Sequence, residues 1–289
     1  MPSRMQFSAP TPLEYFATLV AEDASLSLVE AAVAIAQDDN PQLDTQAVLS
    51  KIDSLAERLK RRVPPDAGLR HRLRALNHFF FQELGFAGNV NNYYDPGNSL
   101  VSTVLETRRG IPITLAVLYI ELATQIGLTA RGVSFPGHFL VKLRLSEGEL
   151  VIDPFTGHSL SREQLDELLG PYRQSQGLVG DFDVPLGLFL QAAPARDVLA
   201  RMLRNLKEIH RSAEDWPRSL AVLNRLVILL PQAWEERRDR GLVQVELGAL
   251  EAASLDLADY LSHAPQAADR VVIGKRLLAL RDLDSDRLH

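Results

Sequence analysis

The stretch Gly110–Gly127, "GIPITLAVLYIELATQIG", is apolar on nearly every side of a helix and ends in a glycine. A helix without a polar face is stable only when it is buried, and glycine commonly ends helices because it tolerates the left-handed conformation. Pro112 suits the first turn, where its fixed φ and missing N–H cost nothing. The stretch therefore predicts a buried central helix.

Three short segments rich in β-forming residues follow this helix, and the turn sequences "PG" and "SEGE" separate them. They are "LTARGVSF" (128–135), "GHFLVKLRL" (137–145) and "ELVIDPF" (149–155). Short strands joined by tight turns pair as antiparallel neighbours, and an apolar helix beside them packs on their sheet. We therefore expect an α+β fold, predominantly helical, in which a central helix packs on a small antiparallel sheet.

Helical patterns flank this core on both sides. Thr11–Glu14 has the pattern of a capping box, and apolar residues at helical spacing continue to about Arg62. Another capped helix starts at Ser161 and extends to about Leu169, after which Gly and Pro indicate a loop. We expect three regions: an N-terminal helical region (1–68), the core (69–180), and a linker with tetratricopeptide-like helical repeats (181–289).

The C-terminal region has a weak internal repeat. Pro231 and Pro265, each followed by Gln-Ala, are thirty-four positions apart, which is the tetratricopeptide period. Gly241, Leu257 and Tyr260 fall where such a repeat needs a small residue at a close helix crossing and two core contacts. The run "ERRDRG", 236–241, predicts a solvated, salt-bridged helix face, or alternatively a charged surface that receives a peptide.

The chain has 289 residues and a net charge of −6, which argues against nucleic acid and anionic membranes as partners. No apolar run reaches the roughly 18 residues of a membrane span, and the first residues lack the apolar core of a signal peptide. We therefore expect a cytoplasmic protein. The seven histidines are scattered and no phosphate-binding loop is present, so neither a metal nor a cofactor is expected.

His138 stands at the start of one predicted strand and Asp153 at the end of the next, which gives two-thirds of a nucleophilic triad. The third member cannot be a cysteine thiol, because the chain contains no cysteine. Thr114 lies two positions beyond Pro112, about 200° around the helix, so it should point away from a first-turn nucleophile. Ser134 lacks the sharp turn that activates a serine. Neither hydroxyl is a strong candidate.

The blocks "YYDPGNS", "RRGIPITL", "FPGHF" and "IDPF" occur in one order between Gly85 and Gly157, and "NLKEIH" and "RRDRGL" follow. In order and spacing they resemble the SirB-type family of bacterial transglutaminase-like proteins, over nearly the whole chain. The resemblance implies a transglutaminase or papain-like core joined to tetratricopeptide-like helices.

The resemblance also indicates where the nucleophile should be. Active cores of this kind carry cysteine at the start of the central helix, in a motif G-x-C-x-x-x-A, with His and Asp on adjacent strands. Here Gly110 and Ala116 match the motif, and His138 and Asp153 match the histidine and the aspartate. Pro112 stands in place of the cysteine. We therefore expect a pseudoenzyme in which His138 and Asp153 remain hydrogen-bonded next to Pro112.

The "YYDPGNS" segment predicts either the rim of the vestigial cleft, with groups for hydrogen bonding and stacking, or a structured turn with an N-cap. Arg109, beside Arg108 at a predicted helix end, either complements the helix dipole or binds an anion. The candidate cleft residues are Tyr93, Tyr94, Asp95, Asn98, Arg109 and Thr114.

Three functions are compatible with these patterns. The leading hypothesis is a non-catalytic protein that binds a protein or peptide partner through the vestigial cleft, the helical repeats, or both. The alternative is a hydrolase or acyltransferase that uses His138 as base and Asp153 as its orienting partner, without a cysteine nucleophile. A purely structural scaffold is the third hypothesis.

Overall fold

The computed structural model describes residues 10–177 and 184–287, and the chain divides into two compact units. The core unit comprises Leu26–Ala36 and Gln42–Met202. The repeat unit comprises the residues up to Ser25, the short stretch Gln37–Pro41 and the residues from Leu203 onward.

The described α-helices are α1 (Pro12–Leu19), α2 (Leu28–Ile35), α3 (Thr45–Lys60), α4 (Leu69–Asn77), α5 (Val101–Thr107), α6 (Pro112–Gln125), α7 (Arg162–Ser175), α8 (Leu186–Phe189), α9 (Ala195–Ser212), α10 (Trp216–Leu229), α11 (Trp234–Glu246), α12 (Leu250–His263) and α13 (Arg270–Arg287). The strands are β1 (Ala87–Gly88), β2 (Arg109–Gly110), β3 (Thr129–Val133), β4 (Leu140–Leu145), β5 (Gly148–Ile152) and β6 (Ser159–Leu160). Within these described segments, no helix combines the length and apolar character of a membrane span.

Helix α6 is the buried central element that the sequence predicts. Its residues Leu115, Ala116 and Tyr119 have no exposed surface, and the helix packs against β3 and β4. Gly127, just beyond its end, has φ +75°, a conformation that glycine adopts without strain. The predicted buried helix on a small sheet is therefore confirmed.

The sheet contains the three predicted strands and one more. Its order is β3-β4-β5-β6, with all neighbours antiparallel. The extra strand, β6, pairs only at Val151↔Leu160 and Ile152↔Ser159. Two residues are too short to show the alternation of polar and apolar side chains that marks a strand in sequence, so this strand could not be predicted.

An apolar cluster packs on the sheet, and helices α7 and α8 contribute to it. The buried members of this cluster are Val133, Phe135, Leu140, Val151, Leu165, Leu169 and Leu186. Leu140 belongs to it, and the adjacent residue Val141 is also buried although neighbouring strand residues face opposite sides. Both faces of β4 are therefore covered, which fixes the register of the sheet.

Helix α7 is longer than the sequence indicated, because it continues through Pro171 to Ser175. The predicted loop after Leu169 is therefore wrong for its first residues. Arg173 pairs with Asp166 at 3.2 Å, and the Tyr172 ring contacts Phe189 edge-on at 5.8 Å, so side-chain contacts stabilise the extra turn. Residues 178–183 of the predicted linker lie outside the described residues.

The repeat unit contains the helix pairs that the thirty-four-residue spacing predicts. A Cβ added to Gly241 on α11 would lie 2.9 Å from Leu257 on α12, so only glycine permits this close crossing. Leu257 and Tyr260 are buried at the same crossing. These contacts confirm the tetratricopeptide-like arrangement.

Helix α1 belongs to the repeat unit, whereas α2 and α3 belong to the core unit. Arg225 of α10 is fully buried and binds both carboxylate oxygens of Asp38, at 2.6 and 2.8 Å. Its guanidinium also lies 4.8 Å from the centre of the Phe16 ring of α1. From the sequence we expected residues 1–68 to form one region. Local patterns do not reveal these contacts, because the partners lie far apart in the chain.

Candidate functional site

The start of α6 is tied to the Asn-rich loop that precedes α5. Strand β1 pairs in parallel with β2 immediately before the helix. The Asn89 N–H donates to the Gly110 carbonyl at 3.1 Å, and the Ile111 N–H donates to the Asn98 carbonyl at 3.3 Å. The loop is therefore fixed beside Pro112, the first residue of the helix.

Two of the predicted rim residues stabilise the loop itself. Asn98 is buried, and its Nδ2 donates to the carbonyls of Asn92 at 2.6 Å and Tyr93 at 3.1 Å. Asp95 caps the short 3-10 helix Pro96–Ser99, since its Oδ1 accepts from the Gly97 N–H at 2.8 Å. The structured-turn interpretation therefore fits Asn98 and Asp95.

The two tyrosines of the same loop are available at the surface. Tyr93 is 44% exposed and Tyr94 is 77% exposed, and their rings meet edge-on at 5.3 Å. Burial, and to a smaller extent the neighbouring Tyr94, raise the pKa of the Tyr93 hydroxyl, while Arg201 acts in the opposite direction. The rim interpretation thus fits the tyrosines and not the other polar residues.

Asp153 forms a turn with its own neighbours. Its Oδ1 accepts from the Phe155 N–H at 2.8 Å and its Oδ2 accepts from Thr156 Oγ1 at 3.0 Å. The turn presents the Phe155 ring 6.1 Å from the ring of Tyr93. Gly88 allows this approach, because a Cβ there would lie 2.2 Å from the Phe155 ring.

His138 follows the Pro136-Gly137 turn and precedes β4, and its side chain is half-buried. Its backbone N–H donates to the Phe135 carbonyl at 3.0 Å. Among the described contacts, none joins its imidazole to Asp153, whose two oxygens are engaged in their own turn. The predicted His138–Asp153 hydrogen bond is therefore absent from the described contacts, and the residues after Asp153 orient its carboxylate within their own turn.

Arg201 of α9 joins this region, although the sequence interpretation did not include it. Its Nη1 donates to Ser134 Oγ at 2.8 Å and to the Phe135 carbonyl at 3.3 Å. Its guanidinium carbon lies 5.5 Å from the centre of the Phe139 ring. Burial lowers the pKa of Arg201 and Tyr93 opposes that shift. No local signal identifies this arginine, because it lies more than sixty residues beyond Ser134 in a different helix.

The two remaining cleft candidates, Thr114 and Arg109, have structural contacts of their own. Thr114 is fully buried, so it can neither contact a bound ligand nor act as a nucleophile. Arg109 is exposed, and its Nη1 donates to the carbonyls of Gly85 at 2.7 Å and Arg108 at 2.9 Å. Arg108 has φ +61° and stacks on Phe86 at 4.7 Å. Both arginines are thus used to close the end of α5.

We define the candidate site as Tyr93, Tyr94, His138, Phe155 and Arg201. Two pockets of about 500 and 320 Å³ lie elsewhere in the core unit, along β5. Arg70, Leu73 and Arg74 line the larger one, and Leu160, Leu165 and Leu186 line the smaller. Neither pocket contains a residue of the candidate site.

The charged run of α11 is used inside the repeat unit. Glu236 is 3% exposed and accepts from Arg204 and Lys207, each at 2.7 Å. The other charges of the run also pair with neighbouring helices or loops: Arg237 with Asp259, Arg238 with Asp269, Asp239 with Lys207, and Arg240 with Asp256. The run is salt-bridged, as one interpretation predicted. Its ion pairs connect neighbouring helices and loops of the repeat unit, so the run does not form the solvated face that was expected.

Comparison with known proteins defines the class. Residues 46–204 match the model of the transglutaminase-like superfamily, and residues 206–278 match that of the tetratricopeptide repeat. The first match contains the whole candidate site, and the second spans the helix pairs. The protein is therefore a transglutaminase-like core followed by tetratricopeptide repeats. No solved structure matches the chain significantly.

Curated relatives identify the family. The chain is 38% identical to a UPF0162 protein of Xylella fastidiosa strain 9a5c, over 92% of this chain and 93% of the relative. UPF0162 proteins of Vibrio cholerae and Pseudomonas aeruginosa are 26% and 28% identical, over 92% and 91% of this chain and 96% and 94% of the relatives. The chain belongs to the UPF0162 family, which agrees with the SirB-type resemblance of its motifs.

Proposed function

We propose that this protein binds a peptide segment of a partner protein at the candidate site and does not catalyse a reaction there. The observation that carries the proposal is the pair of exposed tyrosines, Tyr93 and Tyr94, on a loop that is itself rigidly hydrogen-bonded. Exposed aromatic rings on a fixed backbone are typical of binding hot spots, because they offer a large contact area at a low cost in conformational entropy.

Several features support binding over the alternative of a hydrolase or acyltransferase. In the motif resemblance Pro112 stands in place of the catalytic cysteine, and the chain has no cysteine. Thr114 is buried. Among the described contacts, the Ser134 hydroxyl accepts from Arg201 and has no bond to a general base that could activate it. His138 is not oriented by Asp153, so the base that the alternative requires lacks its partner.

We place the peptide site in the core unit and not on the helical repeats, because the charged run of the repeats is already engaged in ion pairs. Tetratricopeptide repeats commonly bind peptides on charged surfaces. Here the charged run of α11 is already paired within the repeat unit. A ligand would have to displace these internal ion pairs, whereas the tyrosines of the candidate site need no such rearrangement.

A selection experiment tests this proposal. Random heptapeptides, displayed on phage with free carboxyl termini, are selected on the immobilised full-length protein. We expect enriched sequences whose synthetic peptides bind the wild-type protein and bind the Tyr93→Ala/Tyr94→Ala variant at least tenfold more weakly, since each ring contributes about 1 kcal/mol or more.

The matched control is Leu255→Ala, which removes a side chain that is 66% exposed on α12 of the repeat unit. This variant should retain wild-type affinity. Failure to enrich any peptide, or equal binding to the wild-type and double-alanine proteins, would contradict the proposed site.

A further inference from the structure

Arg201 is a partly buried cation that pairs with no acidic side chain in the part of the chain that the structure describes. Among the described residues, its hydrogen bonds run from Nη1 alone, to the Ser134 hydroxyl and the Phe135 carbonyl, both of which are uncharged acceptors. Across residues 10–177 and 184–280, no carboxylate oxygen lies within 4.0 Å of its guanidinium. An arginine has five N–H donors, so Nε and Nη2 remain able to bind a ligand.

Asp95 and Asp153, in the loops that carry Tyr93 and Phe155, are engaged within their own turns. Asp95 accepts from the Gly97 N–H at 2.8 Å and from Asn92 Nδ2 at 3.1 Å. Asp153 accepts from the Phe155 N–H and from Thr156 Oγ1. Both acids therefore satisfy donors of their own turns, and neither neutralises Arg201.

The contrast with other arginines of the chain is informative. Arg204, one turn further along α9, pairs with Glu236 at 2.7 Å. Arg225 and Arg240 each bind both oxygens of an aspartate. Burying part of a guanidinium without a paired charge costs free energy. A negatively charged ligand bound beside the aromatic rings would offset that cost.

The surroundings of Arg201 fit one kind of ligand. The Phe139 ring lies beneath the guanidinium at 5.5 Å, and the rings of Tyr93 and Phe155 lie 6.1 Å apart nearby. Aromatic faces beside a cation suit a peptide that carries an apolar residue next to a negative charge.

We propose that Arg201 binds a carboxylate of the peptide and makes the candidate site selective for acidic peptides. The guanidinium presents two parallel N–H donors to a carboxylate, which gives geometric specificity as well as charge neutralisation. Tyr93 and Tyr94 then hold the adjacent apolar residue. This inference rests on the proposed function and specifies the chemistry of its ligand.

The test uses peptides from the selection described above. We expect the enriched heptapeptides to contain Asp or Glu at one position, or to depend on a free terminal carboxylate. The best binder is synthesised in three forms: unchanged, with its acidic residue replaced by the amide, and with an amidated C-terminus. The dissociation constant of each form is measured for the wild-type protein and for Arg201→Gln.

For the wild-type protein, we expect at least one neutralised peptide to bind about tenfold more weakly, as for the loss of a charge-assisted hydrogen bond. Loss with the side-chain amide identifies an internal acidic residue, and loss with the C-terminal amide identifies the chain end. Either result supports a carboxylate. Arg201→Gln should weaken binding of the unchanged peptide by a similar factor and should not weaken the neutralised peptide further.

This thermodynamic cycle separates ligand contact from a structural role. If Arg201 only positioned Ser134 and Phe135, its replacement would weaken all three peptide forms equally. Arg201→Lys retains the charge and should retain part of the preference, which guards against a misfolded glutamine variant. Arg74→Gln, which removes an exposed arginine elsewhere in the core unit, should change none of the constants.

The outcomes distinguish this inference from the proposed function. Peptides that require the two tyrosines but bind equally well with and without their carboxylates would overturn the role of Arg201 alone. A selection that yields no binding peptide would overturn the proposed function and this inference together.

Discussion

Gly88 shows how one missing side chain positions the candidate site. Its N–H donates to the Phe155 carbonyl at 2.9 Å, and the Phe155 ring occupies the space where a Cβ would be. Replacing it by alanine should force the ring to move, and we expect Gly88→Ala to lower the free energy of unfolding by about 1–3 kcal/mol. Urea unfolding followed by circular dichroism would measure this loss.

Two comparisons make the result specific. In a Phe155→Ala background the same substitution should cost less, because the obstructing ring is gone. In Gly274→Ala, in the interior of α13, the added carbon would meet no described atom within 4 Å outside its own stretch of helix. This substitution should not destabilise the protein and should stabilise it by up to about 1 kcal/mol. An equal cost of Gly88→Ala in both backgrounds would contradict the packing explanation.

The motif resemblance predicts that Pro112 stands at the position of a catalytic cysteine, and this prediction can be tested. Pro112 is the first residue of α6 and is partly exposed, and a helix N-terminus stabilises a thiolate. We expect the thiol of Pro112→Cys to have a pKa below the value of about 8.5 for free cysteine. Because the natural chain has no cysteine, iodoacetamide labelling across pH reports this thiol alone.

Leu255→Cys provides the control, since it places a thiol on the exposed surface of α12, away from a helix start. Its labelling should follow the pH dependence of a free thiol. Identical titration of the two engineered thiols would show that the start of α6 does not activate a nucleophile.

At the level of elements, side-chain bonds to loops hold the repeat helices together. Asp269, just before α13, accepts from the Tyr260 hydroxyl at 2.5 Å and from Arg238 Nη1 at 2.7 Å. These bonds, that of Tyr260 first, hold the pKa of Asp269 below its usual value of 3.8 although burial acts in the opposite direction. The carboxylate therefore links α11, α12 and the start of α13.

The depressed pKa predicts a dependence of stability on pH. A carboxyl whose folded pKa is lowered stabilises the fold above its unfolded pKa, and this contribution is lost as the pH falls through the folded pKa. We expect the helices α12 and α13 to lose protection from hydrogen exchange below about pH 4. Asp269→Asn should reduce protection at neutral pH and flatten this acid dependence.

Glu251→Gln removes an exposed acid from the first turn of α12 and should keep the wild-type acid dependence. If Asp269→Asn loses protection with acid as steeply as the wild-type protein does, the assigned role of the carboxylate is wrong.

At the level of the whole molecule, binding and the repeat network should be separable, because the candidate site lies entirely within the core unit. Glu236→Gln removes a buried charge that accepts from Arg204 and Lys207. We expect it to destabilise the repeat unit by about 1–3 kcal/mol without changing peptide affinity. Tyr93→Ala should weaken peptide binding without lowering the free energy of unfolding of the repeat unit.

Urea unfolding and peptide titration of the same two variants would check this separation. A Glu236→Gln variant that stays folded and yet loses peptide affinity in parallel with Tyr93→Ala would contradict this separation, because binding would then depend on both units.

The sequence by itself determined the type and approximate position of the main elements, although it missed strand β6 and the last turns of α7. The all-round apolar character of 113–119 required burial, the short β-rich segments required a sheet, and the spacing of Pro231 and Pro265 required stacked helix pairs. These are local or periodic signals, so they can be read along the chain. The same signals and the motif blocks were sufficient to identify the family.

Only the tertiary structure decided which side chains meet. Asp153 bonds to its own turn and not to His138, Asn98 is buried within its loop, and Arg201 reaches Ser134 from a distant helix. Asp38 pairs with Arg225, 187 residues away. Each outcome depends on competition among hydrogen-bond partners that are brought together by packing, and such competition leaves no pattern in a linear sequence.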